Sequence, residues 1–141
     1  MNSYERVMAA LELKEPDRVP ILEWIISPNV IKAICPQAND QADFEEIMDL
    51  DAICTTPQFR KVSEGRDGTY TDEWGVTFIS GPEVVDHPVK GPIRTKDDLR
   101  KYIPPDANAP HRLGRLPEFV ARFKKKKAIV VRRRAAGFSS R

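Results

Sequence analysis

The chain has 141 residues, 40% hydrophobic, 31% charged and 8% aromatic, with a formal net charge of +2, which suits one ordinary domain with its own core and is too short for two. No stretch reaches the roughly 18–20 consecutive apolar residues of a bilayer span, and Met1–Glu5 lacks the basic-then-apolar order of a signal peptide, so a soluble, cytoplasmic protein with no membrane partner is expected. Cys35 and Cys54 stand 19 positions apart with no Cys-x-x-Cys spacing, which excludes a disulfide framework and a four-cysteine zinc site and leaves two reduced, buried thiols.

Ser3 is a candidate N-cap, and Tyr4, Val7, Met8 and Leu11 recur at helical spacing until Glu15-Pro16 ends the run, predicting a helix over about residues 4–13. The run Val19-Pro-Ile-Leu-Glu-Trp-Ile-Ile26 is apolar almost throughout, as in a strand buried on both faces, with Pro20 tolerable near its start. A second helix follows Ser27-Pro28 to about Ile34, and a third runs from Asp43 to Leu50 with Phe44, Ile47 and Leu50 as its stripe. Asp51–Thr55 reads as a second buried strand. Between Arg60 and Glu83 apolar residues alternate around a tight Asp67-Gly68 turn, predicting an antiparallel hairpin or small meander. Gly81-Pro82 and Gly91-Pro92 bracket a proline-rich crossing. Thr95 caps a helix through Tyr102, with Asp98 completing the box, and residues 103–110 form a loop. Leu113, Leu116, Phe119, Val120 and Phe123 make the stripe of a last helix that ends in Lys124–Lys127, and Ala128–Val131 is a third buried strand. This order is that of an α/β chain building a parallel sheet. With three such strands instead of the eight of a closed barrel, it reads as a fragment whose open sheet edges invite self-association.

No Gly-x-Gly-x-x-Gly, Walker loop, His-Glu-x-x-His or Gly-x-Ser-x-Gly is present, which removes the common nucleotide, zinc-protease and hydrolase readings. Asp72-Glu73-Trp74 is the strongest local feature, because paired carboxylates beside an apolar ring can orient a substrate or exchange protons. Adjacent strand residues point to opposite faces, however, and the plainer alternative is a solvated turn with Trp74 on the core. Trp24 stands near the end of the first strand, where an α/β barrel places its pocket. Trp24, Asp72 and Glu73 are therefore the candidate substrate-binding residues, the ring packing on a small-molecule substrate and the two acids orienting it. Thr55 and Thr56 close the second strand and could also face a pocket. His87 and His111 adjoin prolines without a carboxylate or thiol at ligand spacing and read as surface-loop residues. Asp17-Arg18 reads as a structural ion pair or a clamp between helix and strand.

Residues 112–141 hold 11 Lys or Arg against one acid, whereas residues 1–111 hold 12 against 20. The basic end attracts phosphates, but Phe119, Phe123 and Phe138 make no stacking platform. A solvated helix end followed by a disordered tail over 132–141 is expected, and nucleic acid is not an expected partner.

Three segments, Ser3-Tyr-Glu-Arg-Val-Met-Ala-Ala-Leu-Glu-Leu-Lys-Glu-Pro-Asp-Arg-Val-Pro20, Leu50-Asp-Ala-Ile53 and Asp67-Gly-Thr-Tyr-Thr-Asp-Glu-Trp-Gly-Val76, in this order resemble the N-terminal part of the uroporphyrinogen decarboxylase-like superfamily, closest to its corrinoid-associated methyltransferase branch. The likeness covers residues 3 to about 131. It implies the N-terminal portion of a (β/α)8 TIM barrel, incomplete here, over 1–131 with a small antiparallel hairpin insertion.

In the true decarboxylases the first strand leads into a Met-Arg-Gln-Ala-Gly-Arg segment that holds substrate carboxylates, and a Phe-Ser-Asp run follows the second strand. This chain has Leu22-Glu-Trp-Ile-Ile-Ser-Pro28 and Thr55-Thr56-Pro57 at those places, which disfavours porphyrinogen decarboxylation. The methyltransferase branch activates a thiol on zinc held by a His-x-Cys pair and a later Cys, none of which occurs here. The resemblance thus implies zinc and a corrinoid, carried by a partner corrinoid protein, for a full-length methyltransferase, and no metal or cofactor in this chain, which is expected to be inactive alone. The alternatives are a decarboxylase of porphyrin biosynthesis and, from another class, a small non-catalytic binding module with a basic tail.

Overall fold

The computed structural model describes residues 1–81 and 85–132. They divide into two compact units, one built from residues 1–57 with the chain after 112 and the other from 58–112. The secondary structure is mixed α/β, with a parallel and an antiparallel sheet and no closed barrel.

In the first unit, β1 (Ala52–Thr55) pairs in parallel with β6 (Ala128–Val131), Ala52 opposite Ala128 and Ile53 opposite Ile129. Side chains alternate across a strand, so this register sorts the pair into two faces. Ala52 and Ala128, with Val130 beside them, pack on Val7 of α1 (Ser3–Leu11). Ile53 and Ile129 pack on Ala42 of α3 (Gln41–Ile47) and on Phe119 and Phe123 of α5 (Leu116–Phe123). Helix α2 (Pro28–Ile34) joins α3 in a smaller cluster of Ile31, Cys35 and Phe44. Salt bridges from Arg115 to Asp40 at 2.6 Å and from Arg122 to Asp43 at 2.9 Å and to Glu46 tie α5 to α3.

Several expectations are corrected. The N-cap of α1 is Asn2, not Ser3: its side chain accepts from the Glu5 N–H while Glu5 accepts from the Asn2 N–H. Ser3, Arg6, Val7 and Ala9 are the buried residues of α1, and Leu11 is 71% exposed. Residues 19–26 form no strand, with a bend at Trp24, and Val19, Ile21, Leu22, Trp24 and Ile25 are exposed. Helix α3 begins two residues before Asp43, capped by Asp40, and ends at Ile47, which is exposed. Helix α5 ends at Phe123. Lys127 lies beyond it and is buried, its Nζ donating to Leu50 O at 2.6 Å and Asp49 at 3.1 Å. Of the basic tail, only Arg132 falls within the described residues.

In the second unit the expected meander has four antiparallel strands in sequence order: β2 (Lys61–Glu64), β3 (Thr69–Asp72), β4 (Thr77–Ile79) and β5 (His87–Lys90). Gly68, at φ 78°, makes the β2–β3 turn, where left-handed backbone favours glycine. Strand β5 occupies what reads in sequence as a crossing. It is an edge strand, the position where Pro88 removes no inner ladder bond. Helix α4 (Lys96–Lys101) carries the expected Thr95–Asp98 capping box, and a single 3-10 turn spans Pro110–Leu113. No helix among the described residues is long and apolar enough to cross a membrane.

Candidate functional site

The carboxyl ends of parallel strands are where α/β proteins build their sites. In the first unit a charge network joins α1, the chain at 17–21 and the start of β1. Asp51 immediately precedes β1 and is 0% exposed. Its carboxylate accepts from Arg6 Nη1 at 2.5 Å, Arg18 Nη1 at 2.8 Å and Nη2 at 3.1 Å, and the Ile21 N–H at 2.8 Å. Asp17 takes the other edge of Arg6, accepting from Nε at 2.6 Å and Nη2 at 2.9 Å. Burial opposes the Asp51 charge, but the Ile21 N–H, Arg6, the Ser3 hydroxyl and Arg18 outweigh it and hold the carboxyl below its ordinary value. Arg6 likewise holds Asp17 well below the carboxylate range, against a smaller opposing effect of burial. Asp17 and Arg18 are thus the structural clamp expected from sequence, with Arg6 and Asp51 as their partners.

Segment 19–26 meets the start of β1 at Ile21. The Asp51 N–H donates to Ile21 O at 2.7 Å. Farther along, the Gln41 side chain donates to Trp24 O at 3.3 Å and accepts from the Ile26 N–H at 3.0 Å. Gln41 also donates to Glu45 at 2.8 Å, and Glu45 in turn accepts from the Cys54 N–H at 3.3 Å. Glu45 is 0% exposed, and burial pushes its carboxyl up to about 7 despite those two donors. Such a group can hold or release a proton near neutrality. The half-buried Cys54 thiol is pushed up to about 11, first by burial and then by the Glu45 charge, so it remains a protonated thiol. At the end of β6 the Arg132 N–H donates to Thr55 O at 2.8 Å, and its guanidinium lies 3.2 Å from the centre of the half-exposed Trp24 ring.

Asp72 and Glu73 belong to the second unit and Trp24 to the first. Asp72 is buried and organises the β3–β4 turn, accepting from the Trp74 N–H at 3.0 Å and the Val76 N–H at 2.9 Å. Glu73 accepts from the Arg60 N–H at 3.1 Å and from Arg112 Nη1 at 3.2 Å and Nη2 at 3.3 Å, and meets His111 Nε2 at 2.9 Å. His111 foremost, then the Arg60 N–H and Arg112, keep the Glu73 carboxyl low against its burial. His111 is therefore no surface-loop residue: its side chain is 19% exposed and pairs with a carboxylate 38 positions away. His87, by contrast, is exposed on edge strand β5. Trp74 packs edge-on against Phe59 and under Arg112, and its carbonyl accepts from the Tyr102 hydroxyl at 3.1 Å. Trp74 Nε1 and His111 Nδ1 are buried without a hydrogen-bond partner among the described residues.

Sequence reasoning missed Glu45 and the Glu73–His111–Arg112 cluster. The Gln41-x-x-x-Glu45 spacing, which stacks two polar side chains on one helix face, was the available signal for Glu45. Nothing local signals the other. No three His, Cys, Asp or Glu side chains gather as a possible metal ligand set among the described residues. Compared with family models, curated proteins and solved structures, the chain matches none.

Proposed function

We propose that this chain forms the opening portion of a uroporphyrinogen decarboxylase-like (β/α)8 barrel of the corrinoid-associated methyltransferase branch, and that its residues supply scaffold and one wall of a pocket, not the reacting metal. One observation carries the reading. Segment 19–26, β1 and β6 follow in this order along the chain, the first held to the start of the second through Asp51 and the last two paired in parallel. Successive strands of such a barrel stand in this order, joined by helical crossovers. Two of the three segments that carry the resemblance also meet in the Arg6–Asp17–Arg18–Asp51 network.

Methyl transfer from methylcobalamin to coenzyme M, followed by cobalamin absorbance with zinc present, tests the division of labour. The chain by itself is expected to show no turnover, and zinc-dependent turnover overturns the assignment of its residues to scaffold alone. A second reading, decarboxylation of a porphyrinogen or another carboxylated substrate, draws on Arg132 over Trp24, which brings a guanidinium to the Leu22–Pro28 stretch that has none of its own. Conversion of uroporphyrinogen to coproporphyrinogen, lost in Arg132→Gln, would favour this second reading over the first.

A further inference from the structure

We infer that the second unit carries a binding site for a small oxyanion-bearing ligand, a phosphate or a carboxylate, in the cleft between the β3–β4–β5 sheet and the segment Gly91–Asp98. The cleft is an open groove of about 690 Å³, and its polar lining comes from Thr71, Thr77, Lys90, Arg94, Thr95 and Asp98. That volume is within the usual range for small-molecule sites.

The sheet register builds one wall. Thr71 on β3 stands opposite Thr77 on β4, and Thr77 stands opposite Lys90 on β5. The two threonine hydroxyls are 3.0 Å apart. That hydrogen bond uses one of their two protons and leaves the other to donate to a ligand. Lys90 and Arg94 supply charge. Neither forms an ion pair among the described residues, whereas Arg6, Arg112, Arg115 and Arg122 are all paired.

Asp98 is the single carboxylate in the lining, and it is turned to the cap of α4. One of its oxygens accepts from the Arg94 N–H at 3.0 Å and the Thr95 N–H at 2.8 Å. Those two N–H groups and the Thr95 hydroxyl hold it below its ordinary value, with the Arg94 charge contributing least. Two cations and a hydroxyl proton thus line a cleft that holds one carboxylate, so the cations outnumber it. An oxyanion complements that set, and the exposure of both cations makes the binding weak and salt-dependent.

The site is independent of the barrel reading, and Lys124–Lys126 offer a competing basic surface, so the test must resolve residues. Amide spectra of the full ¹⁵N-labelled chain are followed during titration with inorganic phosphate and, separately, with succinate, at constant ionic strength. Saturable shifts at the amides of Thr71, Thr77, Gly91 and Arg94 are expected with at least one probe, and the tighter probe identifies the ligand class. The double variant Lys90→Ala/Arg94→Ala should raise the dissociation constant about tenfold or more, corresponding to at least ~1.4 kcal/mol, with the rest of the spectrum unchanged. Thr77→Val should weaken binding without removing any charge. Absence of saturation at these amides with both probes, saturation centred on Lys124–Lys126, or unchanged affinity in the double variant would each overturn the proposal.

Discussion

Replacing Asp51 by alanine removes a group that joins α1, segment 19–26 and β1. The substitution deletes the acceptor of three guanidinium N–H groups and of the Ile21 N–H at a side chain that is 0% exposed. Removing one partner of a buried ion pair costs about 3–5 kcal/mol, because the other charge stays buried without compensation. Arg6 keeps Asp17 on its other edge, and Arg18, with a 40% exposed side chain, can turn to water. The expected loss therefore falls at the lower end, about 3 kcal/mol, out of the 5–15 kcal/mol typical of a folded domain. In thermal unfolding this is a fall in Tm of about 10 °C. Urea unfolding followed by far-ultraviolet circular dichroism measures it, with Asp97→Ala as the control. The Asp97–Arg100 pair is a surface contact one helical turn long, and its loss should not measurably change stability. An Asp51→Ala loss below about 1 kcal/mol would refute the reasoning, since it would mean that the network is solvated and dispensable.

Burial raises the Glu45 carboxyl from 4.5 to about 7 in the folded protein, so between those values the folded state binds a proton that the unfolded state has released. The stability from this group is fully present below pH 4.5 and is lost as pH rises through about 7. The unfolding free energy from urea titration should therefore fall between about pH 5 and about pH 8, by on the order of 2–3 kcal/mol, and Glu45→Gln should flatten that slope; an unchanged slope counts against the assignment. Asp17 and Asp51 act in the opposite sense and in a separate window. Their folded values lie below the ordinary 3.8, so their contribution is present above that value and is lost as pH falls through the folded values. The Cys54 thiol, at about 11 against an ordinary 9.0, should react with iodoacetamide near neutral pH about 100-fold more slowly than an unperturbed thiol. Mass-resolved alkylation of Cys54 checks this, and labelling at the rate of a free thiol would contradict it.

Features written within a few residues were legible. The Thr95–Asp98 box, the Asp67-Gly68 turn and the apolar runs of β1 and β6 each form from neighbours whose geometry the local sequence sets. The resemblance to a barrel family directed attention to Asp17-Arg18 and Leu50-Asp51 but did not say that they touch. What was not legible depends on residues far apart. Segment 19–26 has the composition of a buried strand, yet the Gln41 and Asp51 side chains pin it, Ile26 packs on the Ile31–Phe44 cluster, and Val19, Ile21, Leu22, Trp24 and Ile25 stay exposed. Arg6 is buried although its charge argues for solvent, because Asp17 and Asp51 lie on either side of it. His111 finds its carboxylate across 38 positions and Lys127 its partner across 78, and neither separation leaves a periodic trace. Pro88 concealed β5, since a proline argues against a strand unless the strand is known to lie at an edge.

The proposed barrel portion requires segment 19–26, β1 and β6 to stand side by side in that order. Backbone nuclear Overhauser contacts in the labelled full chain, read with amide exchange, measure it. Contacts from Ile21 to Asp51 and from Ala52 to Ala128 are expected, with the Asp51 amide, which donates to Ile21 O, protected from exchange. A segment 19–26 that runs antiparallel to β1, or an Asp51 amide that exchanges at the rate of a free peptide, would contradict it.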